Sequence, residues 1–159
     1  NMTLMLVRKQ VENQLINKDV TITAVNLPVI DGSRIHIEKL FHCIINNSIR
    51  YSAVDRPLVI NITGEIVKGR SLKHRSAKNK TYHLIRFSDN GSGFEIKSDN
   101  VFNLYDYIMN PLPQGNAGID LVMSKKICEM HGGFIAVDST LNQGTTFNCY
   151  LPFASAEEL

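Results

Sequence analysis

The part of this chain best suited to bind a small ligand is a carboxylate followed by two closely spaced glycines. Residues 89–94 read Asp-Asn-Gly-Ser-Gly-Phe and follow the apolar stretch Tyr82–Phe87, which predicts a strand that ends near the carboxylate. An ionised Asp89 only accepts hydrogen bonds, so it could receive one from an exocyclic amine such as that of adenine. Gly91 and Gly93 would let backbone approach such a ligand. Ordinary turns use the same residues, and the motif alone is weak evidence.

A second group of polar residues is predicted on a long helix earlier in the chain, from about Arg34 to Tyr51. Its apolar stripe at helical spacing comprises Ile37, Leu40, Phe41, Ile44 and Ile45. Cys43, Asn47 and Arg50 align along one flank of that stripe, and Tyr51 falls within it. The Asn47 carbonyl oxygen suits a hard cation such as magnesium, and Arg50 can pair with phosphate. The helix alone favours a structural role for these residues.

Periodicity and turn residues predict the elements that would position these groups. We expect helices over Leu4–Ile16, Arg34–Tyr51 with Ser33 as N-cap, and Ile119–His131, and strands over Asp19–Val25, Leu58–Ile66, Tyr82–Phe87, Phe134–Asp138 and Thr145–Leu151. The last two strands would form a hairpin through Leu141–Gly144. This order departs from strict βαβ alternation, so it predicts an α+β fold, a two-layer α/β sandwich with a mixed sheet. Residues 95–118 hold no period and predict a lid loop.

Composition indicates one globular domain over residues 1–159, with 43% hydrophobic and 20% charged residues. No apolar run approaches the roughly 20 residues of a membrane span. The three cysteines lack CxxC spacing, which argues against a disulfide scaffold and a zinc site and favours a cytoplasmic location. The chain starts at Asn1 without a signal-peptide pattern, so we expect a piece of a longer protein.

The basic residues are concentrated in one segment, Gly64–Tyr82. Of the 17 basic and 15 acidic residues, six and one lie there, which leaves 11 and 14 elsewhere. We expect a basic insertion in a solvated loop. It lacks the interleaved aromatic residues of a single-strand nucleic-acid binder, so no nucleic-acid partner is predicted.

Segments in a fixed order resemble the nucleotide-binding boxes of sensor histidine kinases. The matches are Asn47–Ser52 to the N box, Asp89–Phe94 to the G1 box, Val101–Tyr105 to the F box, Gly118–Gly133 to the G2 box and its helix, and Thr145–Phe147 with Leu151-Pro152 to the terminal strand. The resemblance spans about residues 10–153. It implies the Bergerat ATP-binding fold shared with gyrase B, ninety-kilodalton heat-shock chaperones and mismatch-repair ATPases.

The resemblance implies ATP and Mg²⁺ as ligands and a role for each matched residue. Asp89 would accept the adenine amine, Asn47 would hold magnesium at the phosphates, and Arg50 would contact a phosphate, which makes Asn47 and Arg50 the catalytic pair. The other nucleotide contacts would be Tyr51 near the purine, Gly91 and Gly93 in the turn, Gly118 at a helix N-terminus facing the phosphates, and Thr146 beside Asp89, with Phe102 and Tyr105 anchoring a lid over residues 95–118.

As a function, the resemblance implies transfer of the ATP γ-phosphate to a histidine on a separate dimerisation domain. A response-regulator aspartate would then receive the phosphate. The partners would be that phosphoacceptor domain and the response regulator. The domain itself would be monomeric and cytoplasmic, in a parent protein that could be membrane-bound.

The chain departs from the family pattern on the phosphate side. Cys43 stands where the kinases have Asn, Asp120 replaces a glycine of the G2 box, and no Lys or Arg lies between Lys97 and Lys125. None of the five histidines is followed by an acid, as the phosphoacceptor typically is. These departures keep open an alternative, a degenerate non-catalytic module for nucleotide sensing or interaction. A Bergerat-fold ATPase outside signalling is the third possibility.

Overall fold

A five-stranded sheet covered on one face by helices forms the framework of the protein. The computed structural model describes residues 5–7, 9, 19–72, 80–95, 102 and 117–153. Its elements are β1 (Val20–Val25), α1 (Arg34–Arg50), β2 (Leu58–Lys68), a 3₁₀ turn (Gly69–Ser71), β3 (Thr81–Asp89), α2 (Ala117–Met130), β4 (Phe134–Thr140) and β5 (Gly144–Pro152). In addition, residues 5–7 and 9 are helical, and Val7 is fully buried.

The strands lie in the order β1-β2-β3-β5-β4, with β1 and β2 parallel and all other neighbours antiparallel. The predicted α+β sandwich with a mixed sheet is therefore confirmed. The register places Asp89, the last residue of β3, opposite Ile60 of β2 and Thr145 of β5. The Asp89 carboxylate thus lies between two neighbouring strands at one end of the sheet.

The core lies between the sheet and the helices because strand residues alternate and the α1 stripe is apolar. Ile60 and Ile62 of β2, Phe87 of β3 and Phe147 of β5 are at most 1% exposed. Phe41 of α1 meets Phe87 edge to face with ring centroids 4.9 Å apart. Each such fully buried side chain contributes about 1.5–3 kcal/mol relative to its exposed state. This packing fixes α1 over the centre of the sheet.

The opposite face of the sheet carries a row of polar contacts. Arg86 of β3 donates to Glu65 of β2 at 3.0 Å and to Asn148 of β5 at 3.1 Å. Asn148 in turn donates to Asp138 of β4 at 3.1 Å. Within the described part of the chain, no helix covers this face, which is consistent with two layers rather than three.

The basic insertion is shorter than predicted. Strand β2 was predicted to end at Ile66 but continues to Lys68, which is paired with Thr81 of β3, so two residues predicted in the loop belong to the sheet. The sequence prediction ended the strand too early because it took the rise in basic residues as the boundary. Residues 73–79 lie outside the described part of the chain.

Other element boundaries shift by a few residues. Ser33 occupies the N-cap position of α1, although its side chain makes no capping hydrogen bond. Helix α2 begins at Ala117, two residues before the predicted start. Most of the predicted lid, with its anchor Tyr105, and the rest of the predicted helix Leu4–Ile16 lie outside the described residues; Phe102 is described and is 9% exposed within the core.

All three cysteines are buried with free thiols, as expected from their spacing. Within the described ranges, the structure contains no helix with the length and hydropathy needed to cross a membrane.

Candidate functional site

The Asp89 carboxylate accepts hydrogen bonds from three donors of the protein itself. Its Oδ1 accepts hydrogen bonds from the backbone N–H groups of Gly91 at 2.9 Å and Thr145 at 3.2 Å. Its Oδ2 accepts the Ser48 hydroxyl of α1 at 2.7 Å. A carboxylate has about four acceptor positions, so one on Oδ2 remains for a donor from a ligand. The arrangement fixes the direction in which an incoming amine can bind.

The glycines after Asp89 are required by the packing of the protein itself. A Cβ at Gly91 would lie 2.6 Å from the carbonyl oxygen of Tyr51. Gly93 has a φ of +58°, and a Cβ there would lie 2.1 Å from the carbonyl oxygen of Thr140. Both positions therefore exclude larger residues without any ligand. The sequence interpretation gave only one reason for these glycines, the approach of a nucleotide, and the structure supplies a second.

Arg56, in the connection between α1 and β2, clamps the turn after β3. Its guanidinium donates to the backbone carbonyl oxygens of Asn90 at 2.8 Å, Gly91 at 3.0 Å and Asn142 at 2.8 Å. The last of these lies in the β4–β5 hairpin. One side chain therefore joins the α1–β2 connection to two other backbone segments, the turn after β3 and the β4–β5 hairpin.

Two further contacts seat the same turn. The Asn90 side chain accepts the N–H of Val59 at 2.8 Å and donates to the carbonyl oxygen of Pro57 at 3.0 Å. Ser92 donates through its N–H at 2.8 Å and its hydroxyl at 3.0 Å to the carbonyl oxygen of Tyr51. The C-terminus of α1 and the turn therefore form one unit, joined through the carbonyl oxygen of Tyr51.

The predicted placement of Thr146 beside Asp89 is wrong by one residue. Thr146 is opposite Ser88 and shares a hydrogen bond with its hydroxyl at 2.9 Å, on the sheet face away from the helices. Thr145 is opposite Asp89 and is 6% exposed. The physical reason is strand alternation, because residue 145 shares its face with the buried Phe147, whereas residue 146 points to the other face.

Asn47 and Arg50 carry buried polar atoms that lack hydrogen-bond partners among the described residues. The atoms are Oδ1 of Asn47, a residue only 6% exposed, and Nη1 of Arg50. Leaving a buried polar atom unsatisfied costs about 1–3 kcal/mol, and such atoms in native proteins call for an explanation such as an absent ion or ligand. Asn47 directly precedes Ser48, which contacts Asp89, so these atoms belong to the same end of α1 as the carboxylate.

The two departures Cys43 and Asp120 meet across the α1–α2 interface. Asp120, in the first turn of α2, accepts a hydrogen bond from the Asn46 side chain of α1 at 3.0 Å. Burial, and then the negative charge of Asp120, raise the pKa of the Cys43 thiol to about 12. Cys43 is therefore a neutral thiol at neutral pH, which is a poor ligand for magnesium and a poor general base. The Asp120 carboxylate is engaged with α1.

Gly118 lies in the first turn of α2 and is buried. The first backbone N–H groups of a helix lack partners within the helix and, together with the helix dipole, favour anions. The turn that contains Gly118 therefore suits a phosphate, although it also carries the negative Asp120.

A mixed sheet with helices on one face and a carboxylate fixed by three hydrogen bonds at a strand end are features of a class of nucleotide-binding domain. Residues 32–155 match the family of histidine kinase-, DNA gyrase B- and HSP90-like ATPases, and the chain belongs to this family. Membership implies an ATP-binding domain. The kinase resemblance found in the sequence is thereby confirmed.

Curated relatives include a sensor protein and a signal transduction histidine-protein kinase. The chain is 29% identical over 131 residues to sensor protein RprX of Bacteroides fragilis, which covers 79% of this chain and 22% of RprX. It is 28% identical over 113 residues to the signal transduction histidine-protein kinase ArlS of Staphylococcus aureus, covering 69% of this chain and 22% of ArlS. The chain thus spans about a fifth of the length of these curated relatives.

Solved structures of kinase catalytic regions share the fold. The catalytic domain of histidine kinase ThkA in a nucleotide-free form superposes with a TM-score of 0.71 at 18% identity, over 96% of this chain and 91% of that one. The mycobacterial sensor histidine kinase MprB gives a TM-score of 0.66 at 18% identity, over 95% and 89%. These similarities show the fold.

Sequence reasoning missed Ser48, Asn90 and Arg56 as residues of the site. Ser48 could have been found, because it follows Asn47 on the helix and bears a hydroxyl at the border of the apolar stripe. Asn90 lies inside the motif that was singled out, but its contacts run to β2. Arg56 gave no local signal, since the three contacts that hold the turn are made to backbone oxygens of distant segments.

Proposed function

We propose that this domain binds Mg-ATP and serves as the catalytic domain of a sensor histidine kinase. Within its parent protein it would pass the ATP γ-phosphate to a histidine on a dimerisation domain, and the phosphate would then move to an aspartate of a response regulator. The single observation that carries this proposal is the Asp89 carboxylate, which is fixed by three donors and retains an acceptor position.

In this proposal, the adenine amine donates to Oδ2 of Asp89. Ser48 and the N–H groups of Gly91 and Thr145 keep the carboxylate oriented, so the hydrogen bond forms without rearrangement of the site. Guanine presents a carbonyl oxygen in place of the amine and would meet the carboxylate acceptor to acceptor. Selection for ATP over GTP follows from this contact.

The phosphates would lie along the flank of α1 and at the N-terminus of α2. Arg50 would donate to a phosphate through the guanidinium nitrogen that lacks a partner among the described residues. Asn47 Oδ1 would hold the magnesium ion, which neutralises phosphate charge when bound. The N–H groups at Gly118 would face the phosphate oxygens.

Calorimetry with ATP, with and without magnesium, tests the binding step. We expect micromolar to sub-millimolar affinity that increases with magnesium, and Asn47→Ala should remove the magnesium dependence while leaving adenine recognition in place. Asn61→Ala provides a matched control, because Asn61 lies exposed on β2 and bonds Thr23 at 2.6 Å instead. The absence of heat at millimolar ATP would overturn the proposal.

Phosphoryl transfer is tested separately, in the parent protein that carries the acceptor histidine. Incubation with γ-labelled ATP should label a histidine, seen as acid-labile and alkali-stable phosphate, and Asn47→Ala should abolish the label. Nucleotide binding without any label in the parent would instead support the non-catalytic, nucleotide-sensing alternative.

A further inference from the structure

A cleft of about 540 Å³ lies at the opposite end of the sheet from Asp89. It is lined by Asn26, Pro28, Val29, Asp31, Gly64, Glu65, Ile66, His83, Pro152 and Phe153. His83 precedes Asp89 by six residues along β3, which places the two about 20 Å apart. The cleft is therefore separate from the candidate nucleotide site, and its volume falls within the range of ligand-binding pockets.

The cleft forms because β1 is shorter than β2. Strand β1 ends at Val25, which is paired with Thr63, whereas β2 continues to Lys68. The N–H of Leu58 points toward β1 and donates to the carbonyl oxygen of Asp19 at 2.9 Å. Because backbone direction alternates along a strand, every second residue after Leu58 also points its N–H and C=O toward the β1 side. Ile66 and Lys68 point their backbone groups to this side, but in the described part of the chain no strand pairs with them there.

The backbone groups available at this edge can be specified. The carbonyl oxygen of Lys68 accepts the Ser71 hydroxyl at 2.7 Å. The carbonyl oxygen of Asn26 lies close to Gly64, at the position that a Cβ of this residue would take. Among the described residues, no hydrogen-bond partner engages the N–H or C=O of Ile66 or the N–H of Lys68 on this side, so these groups could pair with an incoming strand. An exposed strand edge of this kind is a template for pairing with another chain.

The walls of the cleft combine apolar and acidic character. Val29 is 92% exposed and Ile66 is 61% exposed, and the ring of Phe153 lies 4.9 Å from that of His83. The ten lining residues include two carboxylates and no Lys or Arg. Glu65 is paired with Arg86 at 3.0 Å, whereas Asp31 has no ion pair within the described ranges.

His83 adds a polar group to the floor of the cleft. Its Nδ1 is buried and lacks a hydrogen-bond partner among the described residues. Burial lowers the pKa of the imidazole, so the ring is neutral at pH 7 and can offer one donor and one acceptor. The neutral ring therefore adds no positive charge to the acidic and apolar lining of the cleft.

We propose that this cleft is a docking site for an extended peptide segment of a partner protein, which adds to the edge of β2 at Ile66. An apolar side chain of the segment enters the cleft between Ile66 and Phe153, and a neighbouring Lys or Arg pairs with Asp31. Backbone pairing gives affinity and the side-chain pocket gives specificity, as in other cases of strand addition. The site would let a partner bind while the Asp89 end of the sheet stays accessible.

Selection from a random ten-residue peptide library displayed on phage tests the proposal. The library is selected on the wild-type domain and depleted on Ile66→Lys, which places a cation at the rim where side chains are exposed. Val29→Lys provides a second variant, and Val54→Lys, on a residue fully exposed in the α1–β2 connection, is the matched control. Amide spectra of all variants establish that they are folded.

We expect enriched peptides to place an apolar residue next to Lys or Arg and to bind wild type and Val54→Lys equally. A synthetic copy should shift the amide signals of Ile66 and Lys68, and N-methylation of its pairing residue should weaken binding about three- to tenfold through loss of a backbone hydrogen bond. The inference is overturned by no enrichment, by equal binding to Ile66→Lys, by shifts confined to other regions, or by equal affinity of the N-methylated peptide.

Discussion

Replacing Asp89 by asparagine separates adenine recognition from folding. The asparagine Oδ1 can still accept the N–H groups of Gly91 and Thr145, which lie 2.9 and 3.2 Å from the aspartate oxygen. The amide nitrogen takes the place of Oδ2, and the Ser48 hydroxyl can turn from donor to acceptor. All three protein contacts are kept, so the free energy of unfolding should change by less than about 1 kcal/mol.

The ligand contact cannot be kept in the same way. The adenine amine is a donor, and Asp89→Asn presents it with a second donor. A hydrogen bond to a charged group is worth about 1.5–3 kcal/mol, and 1.4 kcal/mol is a factor of ten in an equilibrium constant. The affinity for ATP should therefore fall about 10- to 150-fold.

Isothermal titration of ATP in magnesium buffer measures this loss, and urea unfolding measures stability in parallel. Asp138→Asn is the matched control, because Asp138 receives a single hydrogen bond from Asn148 at 3.1 Å on the far face of the sheet. Its ATP affinity should equal that of the wild type. Binding to Asp89→Asn within twofold of the wild type, or an equal loss in Asp138→Asn, would refute the assignment of the pocket.

The remaining predictions concern the surroundings of this carboxylate. Arg56→Ala removes hydrogen bonds to three carbonyl oxygens and should lower the free energy of unfolding by about 1–3 kcal/mol in urea titrations. Gly144 has a φ of +116°, and a Cβ there would lie 1.9 Å from a carbonyl oxygen of β3, so Gly144→Ala should lower the free energy of unfolding by more than about 3 kcal/mol in thermal unfolding. Gly132 has a φ of +72° and its nearest contact lies at 3.5 Å, so Gly132→Ala should lower it by only about 1–2 kcal/mol. Because its pKa is raised from 9.0 to about 12, the Cys43 thiol should react with iodoacetamide at pH 8 about a thousandfold more slowly than a cysteine of ordinary pKa. The contribution of the buried neutral thiol to the free energy of unfolding is present below pH 9.0 and should be lost as pH rises toward 12. Asp120→Asn keeps an acceptor for the α1 side chain but removes a negative charge near the proposed phosphate site, so ATP affinity measured by calorimetry should rise about two- to fivefold; unchanged affinity would mean that this charge does not reach the phosphates.

Much of the fold could be predicted because local patterns and tertiary structure agree. The stripe from Ile37 to Ile45 forms the buried face of α1, and all five strands occur where alternation predicted them. The end of β2 was missed because charge was taken as a loop signal, whereas the part of β2 beyond the end of β1 lies at a sheet edge, where lysine and glutamate are tolerated on exposed positions.

The candidate site was predictable only in part. Asp89 could be found because the carboxylate, the glycines and the preceding strand are adjacent in sequence. The register error at Thr145 could have been avoided by counting the alternation back from Phe147, which is fully buried. The Arg56 contacts could not be found, because they depend on the approach of the α1–β2 connection to a hairpin almost ninety residues later.

The Arg56 clamp has a consequence for how this domain can vary among its relatives. Its contacts to the turn and to the hairpin are made to main-chain oxygens, so these contacts do not depend on the side chains at Asn90 and Asn142. Substitutions at the hairpin tip that keep its backbone conformation, including the φ of +62° at Asn142, therefore leave the contact to Arg56 in place. Because these Arg56 contacts use backbone oxygens, the sequence of the turn and the hairpin can change while their backbone positions are kept. Such contacts allow the fold to be retained where little sequence identity remains.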